Sequence, residues 1–175
     1  MTVPVLETPR LRLRGHRLDD YAASCAMWAH AQVTRYIGGK PSSPQQTWQR
    51  LLGYAGHWQL MNFGYWALEE AASGRFIGEV GFADFKRDLD PSMRDVPELG
   101  WALVPEAHGK GYATEALHAA IAWGDERLPS SRTVCLIDTD NLPSIRVAAK
   151  CGYFVFSQAA LNGKPVLLFE RFRPS

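Results

Sequence analysis

The chain has 175 residues, 46% of them apolar and 21% charged, with a formal net charge of +1. That length and apolar content suit a single core-forming domain over residues 1–175, and the near-neutral balance argues against general nucleic-acid binding, which needs a basic face to neutralise phosphates. No apolar stretch approaches the roughly 20 residues that cross a bilayer, and the N-terminus lacks the basic-then-apolar build of a signal peptide, so a cytoplasmic protein without membrane contact is expected.

Residues 10–15 alternate as a strand. Arg10, Arg12 and Arg14 fall on one face opposite Leu11 and Leu13, with Arg17 close by. The plain account is an exposed polar face over packed leucines; contact with RNA or a ribosome is the alternative. Asp19 to about His30 reads as one capped amphipathic helix, and Pro44 to about Leu60 as a second, with a Gly-Pro-Ser loop over residues 36–43 between them. Cys25 lies in the first of these; it, Cys135 and Cys151 form no Cys-x-x-Cys pair, so they read as buried thiols and neither a disulfide framework nor a zinc site is expected.

Residues 64–70, 75–86 and 98–104 read as consecutive strands. The first two are joined by a tight turn near Ser73-Gly74, which predicts an antiparallel meander. Residues 88–95 form a polar loop. After Pro105 comes His108-Gly-Lys-Gly-Tyr-Ala113, a glycine-bracketed turn opening a helix from about Tyr112 to Arg127. Such a turn lets backbone amides and the positive end of a helix dipole converge on an anion, with a diphosphate of suitable size. Its other reading is an ordinary strand-to-helix turn.

A strand at residues 133–138 follows. Asn141 then caps a short helix that admits Pro143 in its first turn and stops at Gly152. Residues 153–158 and 165–172 close the chain as strands joined by the Asn162-Gly163 hairpin turn.

Together, His108-Gly-Lys-Gly-Tyr-Ala113 and the Asn141 to Tyr153 segment resemble the two signature motifs of the GNAT acyltransferase superfamily. The flanks at Thr8 to Arg14 and Phe76 to Phe82 look most like its ribosomal-protein N-terminal acetyltransferase branch. Two departures stand out: His108 replaces the usual Gln or Arg, and Ala148 stands where many members carry a tyrosine that protonates the leaving thiolate.

The resemblance implies an α/β fold with a mixed, mostly antiparallel, twisted sheet of six to seven strands, helices on both faces, and a splay between the two central strands. It also implies acetyl-CoA as co-substrate, lying along residues 98–104 as an added strand would. The pyrophosphate would rest on His108, Gly109, Lys110, Gly111, Tyr112, Ala113 and Thr114, chiefly through their amides. A backbone N–H of Leu103 or Val104 would donate to the thioester oxygen, and Asn141 would meet the pantetheine arm.

Lys110 reads either as a phosphate partner or as a turn lysine, and Glu115 as a helix-capping carboxylate. Glu98 is the leading general base, with pairing to an arginine as its other reading and Glu79 as the alternative base. Ser144 either assists the thiolate or serves the helix end. Trp28, Tyr36, Trp48, Trp58 and Trp66 read as core residues, one or two of which would line an acceptor pocket.

The implied activity is acetyl transfer to a primary amine in a ternary complex, a peptide or protein N-terminus first and a small amine next. The alternative is a non-catalytic acyl-CoA-binding or regulatory domain. A monomer or homodimer without bound metal is expected.

Overall fold

The computed structural model describes residues 2–174. Strands β1 (Leu6–Glu7) and β2 (Leu11–Arg14) lead through a short 3-10 turn into α1 (Tyr21–Trp28), α2 (Ala31–Thr34) and α3 (Pro44–Met61). The meander β3 (Tyr65–Glu70), β4 (Phe76–Ala83) and β5 (Glu98–Leu103) precedes α4 (Tyr112–Arg127). The chain ends with β6 (Arg132–Asp138), α5 (Leu142–Lys150), β7 (Phe154–Leu161) and β8 (Lys164–Phe172).

All eight strands share one sheet in the order β1-β2-β3-β4-β5-β6-β8-β7, the two-residue β1 adding to the seven strands that the residue pattern predicts. Every neighbouring pair is antiparallel except β5 with β6. Successive side chains of a strand point to opposite faces, and β4 shows what each face meets. Phe82 packs in the core formed with the Ala116, Leu117, Ala120 and Ile121 stripe of α4, while Ala83 lies against Tyr54 of α3 and Tyr65. Helices thus cover both faces.

Trp58, Trp66 and Trp123 meet edge to face, with centroids 4.9 to 5.5 Å apart. Trp58 and Trp66 have their N–H groups satisfied by the Tyr65 and Pro4 carbonyls, both at 2.9 Å, as buried indoles require. These two are core, whereas Trp48 is partly exposed and sits edge-on to Tyr21. Among the described residues, no helix is long and apolar enough to cross a membrane.

Three details depart from the sequence pattern. Arg14 is not on an exposed face: it is buried, its Nε bonds Glu69 at 2.5 Å and its two terminal nitrogens bond Asp20 at 2.7 Å. The predicted helix from Asp19 to His30 divides, because the Asp20 carboxylate is committed to Arg14 and the Arg17 amide, and because His30 is extended and caps α2 through Nδ1. Cys25 is half-buried, although Cys135 and Cys151 are buried and burial pushes the Cys151 thiol up to about 11.

Candidate active site

Strands β5 and β6 touch at one point only. Glu98 stands opposite Val134, and the Val134 N–H donates to the Pro97 carbonyl at 3.1 Å; beyond that the strands part. The other edge of β5 pairs with β4 along its whole length, and the Val104 N–H donates to Ile77 at 2.9 Å. In an antiparallel ladder, successive residues turn their polar groups to alternate sides. The N–H groups of Trp101 and Leu103 therefore point into the gap, while that of Leu99 belongs to the bridge with Val134. Val104, expected as one of two donors there, is committed to β4, which leaves Leu103.

The Leu103 carbonyl accepts a 2.9 Å bond from His108 Nε2. A carbonyl only accepts, so the ring carries its proton on that nitrogen. His108 thus shapes the turn through its side chain.

The turn itself has Gly109 at φ +72° and Gly111 at φ +79°, conformations that glycine enters without steric cost. No side chain caps α4, and its first backbone bond runs from the Glu115 N–H to the Gly111 carbonyl. The amides of Tyr112, Ala113 and Thr114 accordingly open the helix with the positive dipole end behind them.

Glu115 does not cap. Its Oε1 accepts from the Thr8 hydroxyl at 2.6 Å and the Arg10 amide at 2.9 Å, and its Oε2 from Arg10 Nε at 2.6 Å. Burial raises its pKa, but these donors outweigh that effect and hold the carboxyl below its usual range. Arg10 also donates to the Lys110 carbonyl at 2.9 Å and lies 4.6 Å over the Tyr112 ring. The sequence reading missed this brace, since nothing near Arg10 in the chain points to a partner a hundred residues on.

A cleft of about 580 Å³ runs beside β5. Asp138, Asn141 and Ser144 line one side; Trp28, Tyr36, Arg50 and Tyr54 line the other. Asn141 Oδ1 caps the Ser144 amide at 3.3 Å. The Ser144 hydroxyl has no partner among the described residues. Ala148 is fully buried in the core and offers no hydroxyl to the cleft.

On the cleft floor, Glu98 is gripped by Arg87 at 2.7 and 2.9 Å, two parallel bonds of the fork type. The expected base is thereby tied up. Glu79 is buried on β4 and lines the same cleft. The Tyr54 hydroxyl donates to its Oε1, and His16 Nε2 stands 3.7 Å from its Oε2. Both ring nitrogens of His16 are buried without a hydrogen-bond partner.

Tyr65 stacks on Tyr54 at 4.6 Å, and burial followed by the Glu98 and Glu79 charges pushes its phenol well up, so it stays protonated. Its hydroxyl sits over Gly100, where a Cβ would come within 2.0 Å of it. Tyr54, Tyr65, Arg50 and Arg87 escaped the sequence reading because each acts through a partner distant in the chain.

A strand-to-helix anion turn beside a splayed parallel pair is the architecture of an acetyltransferase. The chain belongs to the GNAT acetyltransferases: the family model described as Acetyltransferase (GNAT) domain matches residues 10–153. It is 30% identical over 151 residues to "Uncharacterized N-acetyltransferase YoaA" of Bacillus subtilis, covering 86% of this chain and 82% of that one. An acetyltransferase from Agrobacterium tumefaciens superposes with TM-score 0.82 at 26% identity, over 98% of this chain and 95% of its own. At 17% identity, RimL, a ribosomal L7/L12 alpha-N-protein acetyltransferase in complex with coenzyme A, shares the fold with TM-score 0.79, over 97% and 98% of the two chains. The family uses acetyl-CoA, and this chain's free amides in the turn and along β5 suit such a molecule.

Proposed function

We propose that residues 1–175 form one catalytic domain that moves the acetyl group of acetyl-CoA to a primary amine by direct attack in a ternary complex. The observation that carries this is the single bridge between β5 and β6, which leaves the Trp101 and Leu103 N–H groups of β5 without a strand partner beside a cleft holding a buried carboxylate. The amides from Gly109 to Thr114 receive the pyrophosphate, and the Trp101 and Leu103 edge receives the arm. When bound, the thioester supplies an activated acetyl group.

The protein's own part is positioning and proton management. The Leu103 N–H donates to the carbonyl oxygen as it gains charge. As the amine nitrogen bonds to the acetyl carbon and the carbon–sulfur bond breaks, Glu79 takes the amine proton directly or through water. Tyr54 fixes one oxygen of Glu79, and Glu98, held by Arg87, keeps the strand start in place. The Ser144 hydroxyl donates to the departing sulfur, Asn141 having set the first turn of α5.

Trp28 and Tyr36 in the cleft, together with the likeness to RimL, support a peptide or protein N-terminus as acceptor, with small amines next, in a cytoplasmic setting. Incubation with acetyl-CoA and a panel of primary amines and N-terminal peptides, followed by thiol release and product mass, tests this. Turnover with one acceptor class is expected. Acetyl-CoA binding without turnover across the panel would favour a non-catalytic acyl-CoA-binding domain.

A further inference from the structure

The wall that α3 contributes to the cleft carries a cation with no counterpart. Arg50 lines the cleft, its guanidinium carbon lies 3.7 Å over the Trp28 ring, and its Nη1 is shut off from solvent without a hydrogen-bond partner. The other guanidiniums that pack into the fold are matched by carboxylates: Arg14 by Asp20 and Glu69, Arg87 by Glu98, Arg171 by Asp125. Arg50 has no such carboxylate among the described residues. The Nε1–H of Trp28, a residue only 4% exposed, is also buried and unpartnered.

Leaving buried donors without acceptors is costly, and more so when one is charged. Stacking on the indole meanwhile fixes the guanidinium plane and presents its fork in a set orientation. One turn further along the same face of α3, about 6 Å away, Tyr54 holds Glu79. With Arg87 cancelling Glu98, the charges left on the cleft lining are Glu79 and Asp138 against Lys40, Arg50 and Lys164. That balance suits an acceptor whose amine faces Glu79 and whose other end is negative.

We infer that Arg50, with the Trp28 N–H beside it, is the docking site for a carboxylate carried by the acceptor close to its reacting amine. This rests on the acetyl-transfer reading and narrows its acceptor. The carboxylate belongs either to a free amino acid or to an acidic residue next to a peptide N-terminus; the chemistry on Arg50 is the same.

The test uses amino acids against their carboxamides, and tripeptides with Asp against Asn at the second position, with thiol release as readout. The wild-type kcat/KM for a carboxylate should exceed that for its neutral congener by about 10- to 100-fold, the range of one charge-assisted bidentate contact. Arg50→Met should erase that ratio by raising KM for the carboxylate alone, leaving the neutral congener within about threefold, and Arg50→Lys should restore part of it. A merely structural stacking role would lower both congeners equally.

Calorimetric titration of the coenzyme A-loaded protein with the same compounds needs no turnover. Carboxylate binding lost in Arg50→Met without any acetylation would sink the transfer reading and keep the site. Turnover without carboxylate preference, a preference that survives Arg50→Met, or no difference in binding overturns the inference.

Discussion

The two sides of the cleft are made of different materials. The side proposed for acetyl-CoA is backbone: amides of the Gly109 to Thr114 turn and of alternate β5 residues, held in shape by His108, Arg10 and Glu115 from behind. The side proposed for the acceptor is side chain: Glu79, Tyr54, Tyr65 and Arg50, each fixed by a neighbour from another element. A backbone surface tolerates changes of side chain and fails when the chain path or its clearance changes. A side-chain surface can be edited one atom at a time, with a distinct chemical symptom for each edit.

The largest expected effect sharpens that contrast. Glu79→Gln keeps shape and loses only the proton acceptor, so kcat should fall by about 10²- to 10³-fold with acetyl-CoA affinity unchanged. Raising the pH should restore part of the rate by supplying neutral amine; an unchanged pH profile would remove Glu79 from that role. Asp20→Asn comes next and concerns the scaffold under the acceptor side. Breaking its bond to buried Arg14 should cost about 3 kcal/mol at pH 7 in chemical denaturation.

The same variant has a pH signature. Burial raises the Asp20 pKa, but Arg14 and the Arg17 amide outweigh it and hold the carboxyl below its ordinary range. A depressed folded value means that stabilisation is complete above the unfolded value, near 3.9, and is lost as pH falls through the folded one. Wild-type protein should therefore lose stability over that acid window more steeply than Asp20→Asn, which thermal melts at stepped pH will measure.

On the backbone side, Gly111→Asp puts a Cβ and a negative charge where φ is +79° and the Arg10 guanidinium is 3.4 Å away. Acetyl-CoA affinity should drop about a hundredfold, against a few-fold for Lys110→Ala, whose carbonyl rather than its charge braces the turn. Equal small losses in calorimetry would break the contrast. The smallest effect is assigned to Ser144→Ala: a fall in kcat of about tenfold at every pH, with Kd for acetyl-CoA retained.

The same division governs how much could be read from the chain. The turn, α4 from Tyr112, α5 with its Asn141 cap, and the hairpin at Asn162-Gly163, with φ of +51° and +78°, were legible because each is encoded within a few adjacent residues. Arg14 was misread because strand alternation marks a face and says nothing of what covers it. For Glu98 the pairing with an arginine was legible as one of two readings, but not that Arg87 supplies it, because Arg87 lies across a loop whose course the sequence does not specify. Arg50 on Trp28 left no trace in either segment, since a helix face reveals its partners only once another helix is laid beside it.

The close approach of Tyr65 to Gly100 carries a consequence for how this enzyme can change. A methyl group at position 100 would lie 2.0 Å from the Tyr65 hydroxyl, and that ring is clamped by Tyr54. Neither position can drift alone. An alanine at 100 requires a smaller residue at 65, and a smaller residue at 65 leaves a hole beside β5 until 100 grows to fill it. The pair should behave as one unit of inheritance, each single change costly and the double change mild. Any widening of the cleft at this point has to pass through that paired step.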